Sequence, residues 1–222
     1  MVWWSHLSAL GGLNVTVLVA LGVTAWLVGA RCWRLALAWG CVFGTVMLAA
    51  AVSQMAFLGW GLGVQSLSFT GFSGHATRAA AVFPVAFFLL VERGPRRLRM
   101  AAVAAGALLA VGVALARVRV GAHSPSEALA GCMLGLGGAA LFLARARAAH
   151  DCSPRPLLLG LLAAAILLPR ADPLNTHQWL TAAALKLSGR DRVYLRDQWQ
   201  PAHGPYVPPC APARVRFDYL CT

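Results

Sequence analysis

Ser73 to Glu127 reads SGHATRAAAVFPVAFFLLVERGPRRLRMAAVAAGALLAVGVALARVRVGAHSPSE. Two apolar runs, Ala76 to Val91 and Ala101 to Ala116, flank a turn carrying Arg93, Arg96, Arg97 and Arg99, and a polar cluster closes each outer end. Similar runs occur at Leu10 to Ala30, Leu35 to Leu58, Ala128 to Leu143 and Leu157 to Leu168. The last is shorter than the roughly 20 apolar residues a spanning helix needs, so it must tilt, thin the bilayer or extend through Pro156. With 59% hydrophobic and 12% charged residues in 222, and a mean hydropathy of +0.67, the chain is too apolar for a soluble domain. The expected fold is all-α, a polytopic membrane bundle of about six transmembrane helices.

The formal charge of +12 does not point to nucleic acid, because the basic residues fall in short clusters between apolar runs. Arg31 and Arg34, then Arg93 to Arg99, then Arg145, Arg147 and Arg155 occupy alternate loops, all on one side of the bundle. The positive-inside rule makes that side cytoplasmic and puts the clusters around FSGH and GAHSPSE on the outer face. An N-terminus without Lys or Arg, anchored at the interface by Trp3 and Trp4, fits an outside start, and no cleavable leader is expected. Six crossings leave the tail outside too. The chain divides into a bundle over 1–169 and a tail over 170–222. THQWLTAAALKLSG, from a Thr176 cap to Gly189, predicts a short amphipathic helix in that tail. Of the six cysteines, Cys210 and Cys221 share the tail and are expected to pair in an oxidising compartment. None of the six has metal-ligand spacing.

The polar clusters read as chemistry. If a helix starts just after Ser73, Ser73 caps it, Gly74 allows close backbone approach, and the unpaired N–H groups of the first turn form an anion site. His75 projects from that turn and Arg78 follows on the same face. This combination suits a phosphate ester, binding the anion and protonating its leaving group. In the second cluster, His123 and Glu127 lie one helical turn apart. The carboxylate can then accept from one ring nitrogen and leave the other to attack phosphorus, while Arg117 offers a bidentate guanidinium to the phosphoryl oxygens. SPSE is also a capping box, with Pro125 at the first helical position, and Glu127 can serve both purposes.

SGH, followed later by arginine, five residues, histidine, three residues and an acid, resembles the second and third motifs of the type 2 phosphatidic acid phosphatase superfamily, the lipid phosphate phosphatases. GAHSPSEALAG resembles that family's HxPSDxxAG run, and the likeness extends from about Leu58 to Gly138. The resemblance implies a helical bundle and a metal-independent phosphatase with no cofactor. It implies a phosphohistidine on His123, oriented by Glu127, with His75 as general acid and phosphate held by Arg117, Ser73 and Gly74. The family's first motif, a lysine and an Arg-Pro, is degenerate here: no Lys or Arg lies between Arg34 and Arg78, and Gln54 and Gln65 are the nearest polar residues. The family's usual aspartate is Glu127.

Arg78 is expected to stand in for part of the missing charge, as an exposed cation at a helix start, or else to snorkel to the interface. Arg119 reads as a surface charge, and Gln54 as a helix-packing hydrogen bonder. The expected substrate is a lipid phosphate or prenyl diphosphate at the outer, periplasmic face of a bacterial inner membrane, with no nucleic-acid partner. A lipid-binding protein of the same fold with weak or no turnover, and a lipid phosphotransferase, are the alternatives.

Overall fold

The computed structural model describes residues 2–146, 176–196 and 199–202. The sixth apolar run, Arg147, Arg155 and the Cys210 and Cys221 pair lie outside the described residues. The helices are α1 (Val2–Leu10), α2 (Leu13–Gly29), α3 (Trp33–Trp60), α4 (Gly74–Leu90), α5 (Arg96–Arg119), α6 (Pro125–Ala146) and α7 (Thr176–Ser188). A hairpin of β1 (Tyr194–Leu195) and β2 (Gln200–Pro201) follows, its strands antiparallel. Among the described residues, four helices are long and apolar enough to cross a membrane: α3, α5, α6, and α1 with α2 taken together, Trp3–Gly29. The chain is an all-α membrane protein.

The five apolar runs within the described residues are helical, but the first differs from expectation. It does not begin as one span at Leu10. The chain breaks at Gly11 and Gly12, whose N–H groups bond back to Ser8 O and Ala9 O, and α1 lies against α5 with Leu7 packed on Gly112. Two consecutive glycines are poor helix formers, so the break costs little where it is used.

Helix α4 is the centre of the bundle, buried almost all round from Ala76 to Leu89 by α2, α3, α5 and α6. Between lipid-embedded helices, association depends on close packing of small residues rather than on expulsion of water. Alanine fills α4, and glycine fills the surfaces that meet it. A Cβ on Gly131 of α6 would lie 2.8 Å from Thr77 Oγ1 and 2.9 Å from Ser73 O. One on Gly106 of α5 would lie 2.7 Å from Phe83 O, next to Pro84. A second core joins α2, α3, α6 and the later half of α4 around Trp26, Trp39 and Phe142, with Trp39 Nε1 donating to Ala20 O at 3.2 Å. These pairings run α4 and α6 parallel to each other and antiparallel to α3 and α5.

Consequently Arg31, Arg34, the arginines from Arg93 to Arg99, and Arg145 share one end of the bundle. The starts of α2, α4 and α6 and the ends of α3 and α5 share the other. At 17 residues, α4 is about 25 Å long. Its neighbour α3, at 28 residues, runs on past the level of Phe72 to Trp60. The first turn of α4 is therefore recessed below the rim of the bundle.

Candidate active site

The recess holds a cavity of about 590 Å³ lined by Gly74, His75, Arg78, Arg117 and His123, with His177 and Arg196 from the tail. Its other wall is apolar, formed by Leu13 and Val17 of α2 and by Phe43, Met47, Ala50 and Phe57 of α3. Both polar clusters thus face one space, although 48 positions separate His75 from His123 (123 − 75).

Glu127 is the organising residue. Fully buried in the first turn of α6, it receives donors on both oxygens. His123 Nδ1 lies 2.8 Å from Oε2, which also accepts from Ser124 N–H at 3.2 Å and from Arg196 Nη2 at 2.6 Å. Oε1 accepts from Thr70 N–H at 2.8 Å and from the Thr70 hydroxyl. Glu127 N–H donates to Ser124 Oγ at 3.3 Å, so the capping box forms and the same carboxylate also orients His123. A carboxylate can only accept, hence the His123 proton sits on Nδ1 and the Nε2 lone pair is left available.

The Thr70 to Ser73 loop is fixed from two sides. Gln54 Nε2 donates to Phe72 O at 2.7 Å and Ser53 Oγ accepts from Phe72 N–H at 3.0 Å, so Gln54 does serve packing. From α6, Glu127 O accepts from Ser73 N–H at 3.1 Å. Ser73 occupies the cap position in extended conformation, but the expected side-chain cap is absent. Its Oγ is buried with no hydrogen-bond partner among the described residues, because the close approach of Gly131 encloses it. Gly74 reaches the cavity wall; Ser73 does not.

Arg78 is not the exposed cation anticipated at a helix start. It is only 7% exposed, and its guanidinium reaches Gly11 O from Nη2 at 3.3 Å and from Nε at 3.4 Å. The α1–α2 break, by carrying a free carbonyl into the bundle, holds it there and rules out snorkelling. Arg78 Nη2 also lies 3.4 Å from His75 Nδ1. A guanidinium cannot accept, so Nδ1 is the acceptor and Nε2 carries the imidazole proton. Arg117 donates to Ser8 Oγ at 3.0 Å, while its buried Nε has no partner among the described residues. Arg119 lies outside the cavity, its guanidinium 5.9 Å from the Trp4 ring centre. His177 stands on the cavity rim, where partial burial of its ring, and then the charge His123 can carry, hold its pKa below the ordinary imidazole range. Among the described residues, no three His, Cys, Asp or Glu side chains gather as metal ligands.

Residues 58–151, which include both polar clusters, match the PAP2 superfamily. The matched segment, less than half of the chain, is similar to that family. A relative from Klebsiella pneumoniae, an uncharacterized 22.5 kDa protein in the cps region, is 40% identical over 135 residues, which are 61% of this chain. The match spans 65% of that relative's length. No solved structure matches. The likeness of this segment to the PAP2 superfamily supports a phosphatase-type function. Several residues of the site lie beyond the matched PAP2 segment and escaped the reading of the sequence: Ser8 and Gly11, which accept from Arg117 and Arg78, and Arg196, which bonds Glu127. No local pattern marks a glycine carbonyl or a tail arginine for such a role. Thr70 lies inside the segment, three residues before Ser73, and only its placement opposite α6 distinguishes it from a loop threonine.

Proposed function

We propose that the chain is a phosphatase for lipid phosphates or diphosphates that works through a phosphohistidine on His123, at the membrane face opposite its arginine clusters. By the positive-inside rule that face is periplasmic in a bacterial inner membrane. The observation that carries this reading is the 2.8 Å bond between His123 and Glu127 at a cavity shared with His75, Arg78 and Arg117. The apolar wall from α2 and α3 supports a lipid substrate, since an acyl or prenyl chain can lie there while its headgroup meets the polar side.

In this mechanism Arg78, Arg117 and the N–H groups of the first turn of α4 bind the phosphoryl oxygens. His123 Nε2 attacks phosphorus; as the N–P bond forms, the P–O bond to the lipid breaks and the departing oxygen takes a proton from His75. Glu127 stabilises the positive charge left on the His123 ring. Water then attacks phosphorus and gives its proton to His75, the N–P bond breaks, and inorganic phosphate leaves. Arg78 has a second part in the first step: by turning from His75 Nδ1 to the phosphoryl oxygens, it frees that nitrogen to take a proton from the incoming monoanionic phosphate group or from water. The imidazolium then donates its Nε2 proton to the departing oxygen and returns to neutral with the proton on Nδ1. The charge on phosphorus is met by arginine and backbone N–H groups, so no divalent metal is required.

Phosphate release from a panel of lipid phosphates and diphosphates, with purified protein in detergent, tests the reading. Turnover is expected to survive chelation, to be inhibited by vanadate, and to vanish in His123→Ala. Rapid quenching with radiolabelled substrate should leave acid-labile, base-stable label on the wild-type protein alone. Undiminished turnover in His123→Ala, or a strict requirement for added metal, refutes the mechanism. Binding of lipid phosphate without release would assign the chain as a lipid-binding protein.

A further inference from the structure

The C-terminal segment is part of the cavity wall, and its attachment is specific. Helix α7 lies along the end of α3, where a Cβ on Gly59 would come 3.1 Å from Ala184 O and 3.2 Å from Ser188 Cβ. Beyond α7, the Tyr194 and Trp199 rings both pack edge-on against Phe57 of α3, with centres 6.5 and 4.9 Å away. Gly61 and Gly63 make room for those two rings: a Cβ at either would come within 2.7 Å of Tyr194 or Trp199. Strands β1 and β2 are paired through Tyr194 with Pro201 and Leu195 with Gln200, and Arg196 begins the turn between them. The hairpin is therefore clamped by aromatic packing, independently of any charge on Arg196.

Arg196 Nη2 makes both of that side chain's hydrogen bonds among the described residues, to Glu127 Oε2 at 2.6 Å and to Thr70 Oγ1 at 3.4 Å. Nη1 and Nε make none among those residues, and the side chain, one third exposed, lines the cavity beside His123. Glu127 Oε2 is oversubscribed, with His123 Nδ1, Ser124 N–H and Arg196 on an oxygen that has two lone pairs. The first two donors are fixed by the start of α6. Arg196 is the donor that can leave.

We propose that Arg196 is a phosphate-binding residue of this site, delivered by the C-terminal hairpin and shared between Glu127 and the phosphoryl group. A phosphoryl group in the cavity offers the guanidinium two acceptor oxygens and more negative charge than one shared carboxylate oxygen. Moving Arg196 onto it also leaves Oε2 to His123 and Ser124 N–H alone, which makes the carboxylate a stronger partner for the attacking ring. This deepens the phosphatase reading and rests on it for the identity of the substrate.

The test is the affinity of the full chain in detergent for inorganic phosphate, measured calorimetrically, beside lipid-phosphate turnover by the same preparations. Arg196→Gln is expected to weaken phosphate binding about tenfold or more, the scale of a charge-assisted bond. It should raise KM by a similar factor, lower kcat less, and melt near the wild-type temperature because the aromatic clamp remains. Arg196→Lys, which keeps the charge but not the fork, should recover part of the loss. Unchanged phosphate affinity in Arg196→Gln, or a lowered melting temperature with affinity intact, overturns this inference and leaves the phosphatase reading standing. Tenfold weaker phosphate binding in Arg196→Gln, from a wild-type chain that releases no phosphate from any lipid, upholds it and overturns the phosphatase reading.

Discussion

Glu127→Gln is the most informative single change, because the side chain keeps its size and loses only a charge and one acceptor. An amide presents oxygen to one side and NH₂ to the other, whereas Glu127 accepts on both. If the amide oxygen faces His123, Ser124 N–H and Arg196, the NH₂ group opposes Thr70 N–H. A buried donor is then left unpaired, at a cost of about 1–3 kcal/mol. If the amide is reversed, NH₂ donates toward His123 Nδ1, the imidazole proton moves to Nε2, and the attacking lone pair is lost. In the proposed mechanism the first orientation removes the charge that stabilises the phosphorylated ring, and the second removes the nucleophile. Both lead to a kcat lower by about 10³-fold or more, approaching the roughly 10⁴-fold loss seen when the orienting carboxylate of a catalytic triad becomes an amide. That corresponds to about 4 kcal/mol of transition-state stabilisation, more than the cost to folding. Stopped-flow phosphate release and quenched phosphoenzyme, with a thermal melt on the same preparation, separate the two effects. A Glu127→Gln protein that melts early yet turns over within tenfold of wild type would reduce Glu127 to its capping role.

Three further outcomes are expected. Thr70→Val keeps the N–H bond to Glu127 and removes the hydroxyl, so kcat should fall about 5–20-fold, equivalent to one hydrogen bond of about 1–2 kcal/mol, with KM little changed; equal loss in both constants would assign Thr70 to substrate binding. Arg78→Gln should raise KM by tenfold or more and also lower the melting temperature, since the guanidinium is buried on Gly11 O; full activity would remove it from the phosphate site. Gly131→Ala forces a Cβ against the Ser73 backbone and should destabilise by about 1–3 kcal/mol while lowering kcat, because it pushes α6 and Glu127 away from α4; unaltered stability and kcat would refute the claim that this contact sets the site.

The helices were legible because apolar runs in a membrane chain leave few alternatives: each backbone must satisfy its own hydrogen bonds, and observed ends differ from the runs by a few residues. The tail helix was legible from its apolar spacing and from Gly189, which adopts φ +67 just past its end. The meeting of His75 with His123 at one end followed from alternating arginine loops. What stayed hidden depended on contacts between distant segments. Arg78 looked like a cation at a helix start, and only the fold brings Gly11 O to it. Ser73 had the residue type of a cap, but packing against Gly131 decided where its hydroxyl went. Glu127 was legible as both cap and orienting group, whereas its bonds to Thr70 and Arg196 were not, since 57 and 69 positions separate the partners.

The positions of these arginines explain why the first span is broken. Arg78, Arg117 and Arg196 line the cavity, and its described wall contains no carboxylate, because Glu127 lies behind His123 and not on the surface of the space. Buried guanidinium groups are costly at membrane depth, and acidic partners would be the usual remedy. On the proposed function, such partners would also neutralise the charge that draws a phosphate and would compete with it for the same N–H groups. Neutral acceptors avoid that conflict. A carbonyl at Gly11 and a hydroxyl at Ser8 satisfy part of each guanidinium and hold it in place without cancelling its charge. A continuous helix through Leu10 to Ala30 would have tied the Gly11 carbonyl into its own ladder. Breaking the helix at two glycines releases that carbonyl and turns α1 so that Ser8 reaches Arg117. Among the described residues of the site, the carboxylate of Glu127 is placed where its charge acts on His123 and, on the proposed role of Arg196, where it can be exchanged for that of a phosphoryl group.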